Sequence, residues 1–215
     1  NNSLPEDNSN GRLDSGFYNY VTVYSHEENK TADGEDRVNV AERRNQSQIQ
    51  ETLQTVLKEE EALEVMTRLR AKQQYENVID VYYTSGIKYE DFLALTDKFT
   101  TNDEEENVGL ININTAPQEV LLGLPELESK DVDNLLKKRE KLSSEEKTSI
   151  LWITEVLDQD KAIAIGSFIT TKSCQYSADI VAITDNVRAF RRYKAVIDTL
   201  SDNEILYRKS YSFLG

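Results

Sequence analysis

The chain has one cysteine (Cys174) and one histidine (His26) in 215 residues. A lone cysteine excludes an internal disulfide and any thiolate-rich metal site. A lone histidine leaves His-based zinc chemistry and a Ser-His-Asp arrangement without their parts. Neither phosphate-cradling signature, G-x-x-x-x-G-K-S/T or G-x-G-x-x-G, occurs. No apolar run approaches the ~18–20 residues that a spanning helix needs, and no signal peptide is visible at Asn1. Cations are the minority: 25 Lys and Arg face 39 Asp and Glu, for a net charge of −14. That balance opposes avid binding to a polyanion. Together the absences point away from catalysis, toward a protein that is not an enzyme. What is present, 38% hydrophobic and 30% charged residues, suits a soluble globular chain of one large domain or two small ones.

Polar, turn-rich sequence fills residues 1–16, and a second polar stretch from Ser25 to Asp36 ends in Asp33-Gly34 ahead of the β-type run Arg37–Val40. Ile49, Leu53, Val56 and Leu57 then fall at helical spacing, and Ala62, Met66 and Leu69 continue it, predicting one long helix. Tyr89, Phe92, Leu93 and Thr96 predict a shorter one, followed by an acidic loop from Asn102 to Asn107.

The segment Gly109 to Leu121 (Gly-Leu-Ile-Asn-Ile-Asn-Thr-Ala-Pro-Gln-Glu-Val-Leu) carries the most information. A β-type run ends where Thr115 is placed to cap a helix. Pro117 sits in that helix's first turn, where its missing N–H costs little, and Gln118 would complete a capping box. Gly123 offers a left-handed stop. Leu124-Pro125-Glu126-Leu127 reads as a tight hairpin, and Ser129 opens a second helix with Val132, Leu135 and Leu136 on one face and Arg139 one turn on. Strand, helix, short apolar hairpin, helix is a helix-hairpin-helix unit at about residues 110–141. Asn112, Asn114 and Thr115 are expected to satisfy backbone groups at the strand end and helix start. Arg139 is expected to bond carbonyls or a carboxylate within the unit.

Val38-Asn39-Val40 lies 73 positions before Ile111-Asn112-Ile113, which suggests that the helical unit is duplicated. The same offset sets Phe17–Thr22 against Asp91–Leu95, and Leu63–Leu69 would play the part of Val132–Leu136. After Trp152 and a helix-like Ile153–Leu157 the period changes. Cys174, Tyr176, Ala178, Ile180 and Ala182 alternate, then Val187–Ile197, then Ile205 to Phe213, with turn sequences at Thr184-Asp185-Asn186 and Ser201-Asp202-Asn203. Three strands joined by two short turns predict an antiparallel meander, one face packed on helices and the other showing Arg188, Arg192, Lys194 and Arg208 to water. The fold class is α+β. Its parts are a polar N-terminal arm with a short helix (1–36), a mainly helical insert domain (37–165) and a C-terminal antiparallel sheet (166–215).

Ile111 through Pro117, with Glu119-Val120-Leu121, Leu124-Pro125 and Arg139, resembles the general secretion pathway protein K family, the minor pseudopilins of type II secretion systems. Phe168-Ile169-Thr170-Thr171-Lys172-Ser173, then Tyr176–Asp179 and Arg191–Ile197, is similar to the same family, in which the Thr-Thr-x-Ser segment opens the pilin sheet. The resemblance covers roughly residues 17–200. It implies a pilin-like sheet carrying a large helical insert with helix-hairpin-helix (SAM-like) units, and an apolar N-terminal helix, absent from this sequence, that anchors the protein in the inner membrane. It further implies a periplasmic protein at the pseudopilus tip whose partners are other minor pseudopilins. The first unit departs from the pattern, because Asn39-Val40-Ala41-Glu42 lacks the second Asn and the Thr-Ala step.

The Asn-x-Asn-Thr-Ala lead-in is also similar to that of competence-type DNA receptors, which makes a helix-hairpin-helix DNA-binding module the alternative. Such hairpins use glycine so that backbone N–H groups can reach a phosphate. Here Glu126 adds a side chain and a negative charge, and Asp131, Asp133 and Glu140 interleave with Lys130, Lys137, Lys138 and Lys141. No nucleic-acid partner is therefore expected. No cofactor is expected: the acidic loops at Asp7–Asp14 and Glu27–Asp36, where the resemblance would allow calcium, lack EF-hand spacing and read first as solvated turns. Glu59–Glu61 and Glu104–Glu106 read as hydrated surface, His26 as a surface residue and Cys174 as a core residue.

Overall fold

The computed structural model describes residues 20–183, 189–200 and 204–214. The arm before Tyr20, both meander turn sequences, Arg188 and the Asp7–Asp14 loop lie outside the described residues.

The chain is α+β. A helical body runs through two successive stretches with the same element order. The first comprises β2 (Val38–Asn39), α1 (Gln46–Gln54), α2 (Glu59–Ala71), α3 (Val78–Ser85), α4 (Tyr89–Leu93) and β3 (Phe99–Thr100). The second comprises β5 (Ile111–Asn112), α5 (Gln118–Leu121), α6 (Ser129–Arg139), a 3-10 stretch (Ile150–Glu155), α7 (Gln159–Gly166) and β6 (Ile169–Thr170). Ahead of the first stretch, β1 (His26–Glu28) pairs antiparallel with β4 (Glu106–Val108), which lies between the two.

Each stretch closes on itself through a two-residue parallel ladder. Val38 faces Phe99 and Asn39 faces Thr100; Ile111 faces Ile169 and Asn112 faces Thr170. The bonds match as well. Val38 and Val40 N–H donate to Lys98 and Thr100 carbonyls at 2.9 Å, and Ile111 and Ile113 N–H donate to Phe168 and Thr170 carbonyls at 2.8 and 2.9 Å. In both, the Asn side chain accepts from the N–H two residues on, Ala41 or Asn114, at 2.9 Å. That bond turns the chain out of the strand and toward the next helix.

One continuous core joins the stretches: Ile49, Leu53, Val65 and Met66 from α1 and α2, Phe92 and Phe99, then Ile113, Leu121, Val132, Leu135, Trp152 and Ile165. Each side chain withdrawn fully from water contributes about 1.5–3 kcal/mol. The helix expected to run from Ile49 to Leu69 is two helices, broken at 55–58. The apolar spacing passes through the break undisturbed, but Glu59-Glu60-Glu61 marks the new start. Those acids fill the first turn of α2, where carboxylates favour the positive end of the helix dipole.

The C-terminal strands β7 (Gln175–Ile183), β8 (Ala189–Asp198) and β9 (Glu204–Leu214) form an antiparallel meander in that order. Its register sets Ala178 opposite Ala195 and Ala195 opposite Arg208, with a bulge between Val196 and Ile197. The expected packed face is not found. Ile180 and Tyr176 on one face are 58% and 54% exposed, and Val181 and Ile183 on the other 50% and 61%. Apolar residues occur on both sides of β7, so alternation alone did not choose a face. Arg192, Lys194 and Arg208 are exposed, but they do not share the one face expected of them. Arg208 lies opposite Ala195 and so points to the other side from Arg192 and Lys194. Among the described residues, no helix is long and apolar enough to cross a membrane.

Candidate functional site

Asn112 is the centre of the most connected polar cluster that the sequence singles out. Its Nδ2 donates to the Thr171 and Lys172 carbonyls at 3.2 and 3.1 Å and to Ser173 Oγ at 2.8 Å, while its Oδ1 holds Asn114 N–H. Asn114 passes the connection on, donating from Nδ2 to the Lys147 carbonyl at 2.8 Å. Arg139 reaches back from the end of α6 and donates to the Ile113 and Ala116 carbonyls at 3.2 and 2.7 Å. One guanidinium thereby ties the second helix to the strand end before the first.

Thr115 does not cap α5. It is exposed, and its N–H and that of Ala116 donate to the Asn112 carbonyl. Asn112 takes over the turn three residues before Thr115, so α5 begins at Gln118 with extended Pro117 at its cap position and no capping box. Gly123 is not left-handed either; that conformation falls on Glu126, at φ 59°. Leu124 is buried and Pro125 exposed, and half-buried Leu127 also packs on the core, so the hairpin is seated by its two leucines.

A left-handed backbone costs a non-glycine residue about 1–2 kcal/mol, and glycine returns ~0.4–1 kcal/mol of that as unfolded-state freedom. Glu126→Gly is therefore expected to stabilise the protein by about 0.5–1 kcal/mol, read as a higher urea midpoint at unchanged slope.

Helix α6 is fastened at its other end too. Asp131 accepts from Glu128 N–H at 3.0 Å and from Lys161 Nζ at 2.6 Å. The bond from Lys161, then that from the Glu128 backbone, holds the Asp131 carboxyl below the usual carboxylate range.

Beside the Asn112 cluster lies a cavity of about 370 Å³ between the body and the meander, with Leu110, Val120, Cys174, Tyr176 and Val196 in its wall. Cys174 is half-buried there rather than in the core, and burial, then the Glu27 carboxylate, pushes its thiol pKa up. A raised thiol pKa lowers its nucleophilicity.

Sequence reasoning missed two groups. His26 is not a loop residue at the surface. It sits in β1 with Nε2 3.4 Å from Asp198 Oδ2, and Asp198 is only 1% exposed. Gln175 joins them, donating to Asp198 Oδ1 at 2.9 Å and accepting from His26 N–H at 3.1 Å. Three residues 23 to 172 positions apart carry no common spacing. The second group is Asp97, which accepts from Arg37 and from Ala32 N–H at 2.6 Å, with Lys172 3.5 Å away. Burial raises its pKa, but the Arg37 and Ala32 bonds and the Lys172 charge outweigh that and leave it lowered.

The Glu27–Asp36 stretch already has partners for its polar groups: buried Glu27 accepts from Thr170 Oγ1 at 2.6 Å, and the backbone of Lys30 forms an antiparallel β-bridge with that of Asp36. Among the described residues, no group of three or more His, Cys, Asp or Glu side chains is placed to hold a metal ion. No family model matches the chain, and no match was found among curated proteins or solved structures.

Proposed function

We propose that this chain is the periplasmic part of a K-type minor pseudopilin, a non-enzymatic protein that caps the tip of a type II secretion pseudopilus. One observation carries the reading. The two segments on which the resemblance rests, Ile111–Pro117 and Phe168–Ser173, lie side by side: Ile111 and Asn112 pair with Ile169 and Thr170, and Asn112 bonds Thr171, Lys172 and Ser173. Motifs more than fifty positions apart form one structural joint, which is how a linked pair of signatures arises. Here that joint stands one step before the sheet, since the meander starts at Gln175.

In this reading the meander is the pilin-like scaffold and the two helical stretches are a duplicated helix-hairpin-helix insert. The mechanism is interfacial. The scaffold joins the filament through an apolar N-terminal helix outside this sequence and through neighbouring minor pseudopilins. The helical body then occupies the space where a further subunit would stack. Calcium has no part in the reading.

Gold-labelled antibody against the helical body is expected to mark one end of each isolated pseudopilus. Label spaced along the shaft would overturn the cap. DNA binding is the alternative outcome, and Glu126 at the hairpin opposes it; a duplex titration at ~0.1 M salt is expected to show no saturable binding.

A further inference from the structure

The outer edge of β9 combines three properties. Among the described residues no strand pairs with it, leaving its outward N–H and C=O groups without a ladder partner. From Tyr207 to Leu214 it runs in unbroken register with Val196 to Ala189, so the bulge at Val196/Ile197 leaves most of the edge straight. Its sheet is basic in an acidic chain: Arg191, Arg192, Lys194, Arg208 and Lys209 face three carboxylates on the strands, Asp179, Asp198 and Glu204. Two of those carboxylates, Asp198 and Glu204, sit opposite each other at the body end. The third is engaged by Arg192, through bonds from Nε (2.7 Å) and Nη2. Arg208 lies over the Tyr193 ring at 5.5 Å, beside Arg191, whose Nη1 bonds the Tyr193 hydroxyl. The bond from Arg191, then its charge and that of Arg208, lowers the Tyr193 pKa, which registers the positive field on this face.

From this geometry we infer that β9 receives an extended, acidic segment of a partner protein as a fourth strand. Main-chain hydrogen bonds supply affinity in such an addition, and alternate side chains supply selectivity. Arg208 and Lys209 point to opposite faces of the sheet, so glutamates at alternate positions of the incoming strand fall opposite or diagonal to one or the other, where opposite charges attract across strands and like charges repel. The same two cations discourage a second copy from pairing β9 with β9, since Arg208 and Lys209 would meet their own kind. The other edge, β7, has no cation and one acid, Asp179, so it does not select such a partner. The inference stands on the edge and its charge, and goes beyond the pseudopilin reading without needing it.

The test uses the unaltered protein and two peptides of about ten residues, one alternating glutamate with valine and threonine, the other with lysine in place of glutamate. Fluorescence anisotropy at ~50 mM salt is expected to show binding of the glutamate peptide and none of the lysine peptide. Affinity should fall at least tenfold at ~0.5 M salt, as screening predicts. Amide exchange should slow on β9 and be unchanged on β7. The double variant Arg208→Glu, Lys209→Glu should lose tenfold or more while β7–β8 amides keep their protection. No binding at ~1 mM peptide, equal binding of both peptides, or protection that appears elsewhere would overturn it. So would sedimentation showing that copies of the chain associate through β9.

Discussion

Asn112→Ala is expected to lower the unfolding free energy by about 2–3 kcal/mol. The substitution leaves Asn114 N–H without its acceptor and removes the shared donor of Thr171, Lys172 and Ser173. A buried group left unsatisfied costs ~1–3 kcal/mol, and water can reach part of this site because Ser173 is exposed. Asn112→Asp should be worse at neutral pH, since a carboxylate would face the Thr171 and Lys172 carbonyl oxygens with only the Ser173 hydroxyl able to donate to it, and should recover as acid protonates it. Asn39, its counterpart in the first stretch, gives the control. Its Nδ2 meets one partner, Asp103 Oδ1 at 2.8 Å, and Asp103 also has Arg44 within 3.4 Å. Asn39→Ala also leaves Ala41 N–H without its acceptor, at a site only 5% exposed, and should cost about 1–2 kcal/mol, less than Asn112→Ala by the bonds to the 171–173 segment. Equal urea midpoints for the two alanine variants would show that the side-chain bonds to the 171–173 segment contribute nothing.

Gly166→Ala is the second large effect, at about 2 kcal/mol of destabilisation. A Cβ there would lie 2.5 Å from Asn77 Oδ1 and 2.6 Å from its Cγ. Asn77 has no alternative position. Its Oδ1 caps α3 through Ile79 and Asp80 N–H, and its Nδ2 donates to the Ile163 carbonyl at 2.8 Å and to Ser167 Oγ at 3.2 Å. Overpacking costs ~1–3 kcal/mol and a lost cap ~1 kcal/mol, against up to ~1 kcal/mol that alanine returns in helix propensity. The steric origin has a signature: in an Asn77→Ala background the same substitution should be close to neutral. A full cost in both backgrounds would place the strain elsewhere.

These sites show what the sequence could and could not convey. The Asn-bearing strand ends at 39 and 112 were visible as local patterns, and so was the meander, because strand-length runs of β-type residues separated by turn sequences need no distant information. Their ladder partners at 99–100 and 169–170 were invisible. A two-residue parallel strand is too short for periodicity, and only the folded chain brings it to its mate. Thr115 and Gly123 carried the usual helix-boundary signals, yet Asn112 already satisfies the backbone ahead of α5 and removes the need for a Thr115 cap, while α5 ends at Leu122 in right-handed geometry and the left-handed residue comes later, at Glu126. The sheet's faces stayed ambiguous because β7 is apolar on both. The His26–Gln175–Asp198 contact depends on three remote segments and had no local signal at all.

The two short ladders have a topological consequence. Because β2 lies against β3, and β5 against β6, the first and last residues of either helical stretch sit about one strand spacing, ~4.8 Å, apart. Each stretch is thus a cassette with adjoining ends. The chain therefore enters and leaves each stretch at a single point, and its termini could be moved within a stretch without any gap to bridge, while the core the two stretches share keeps them one body.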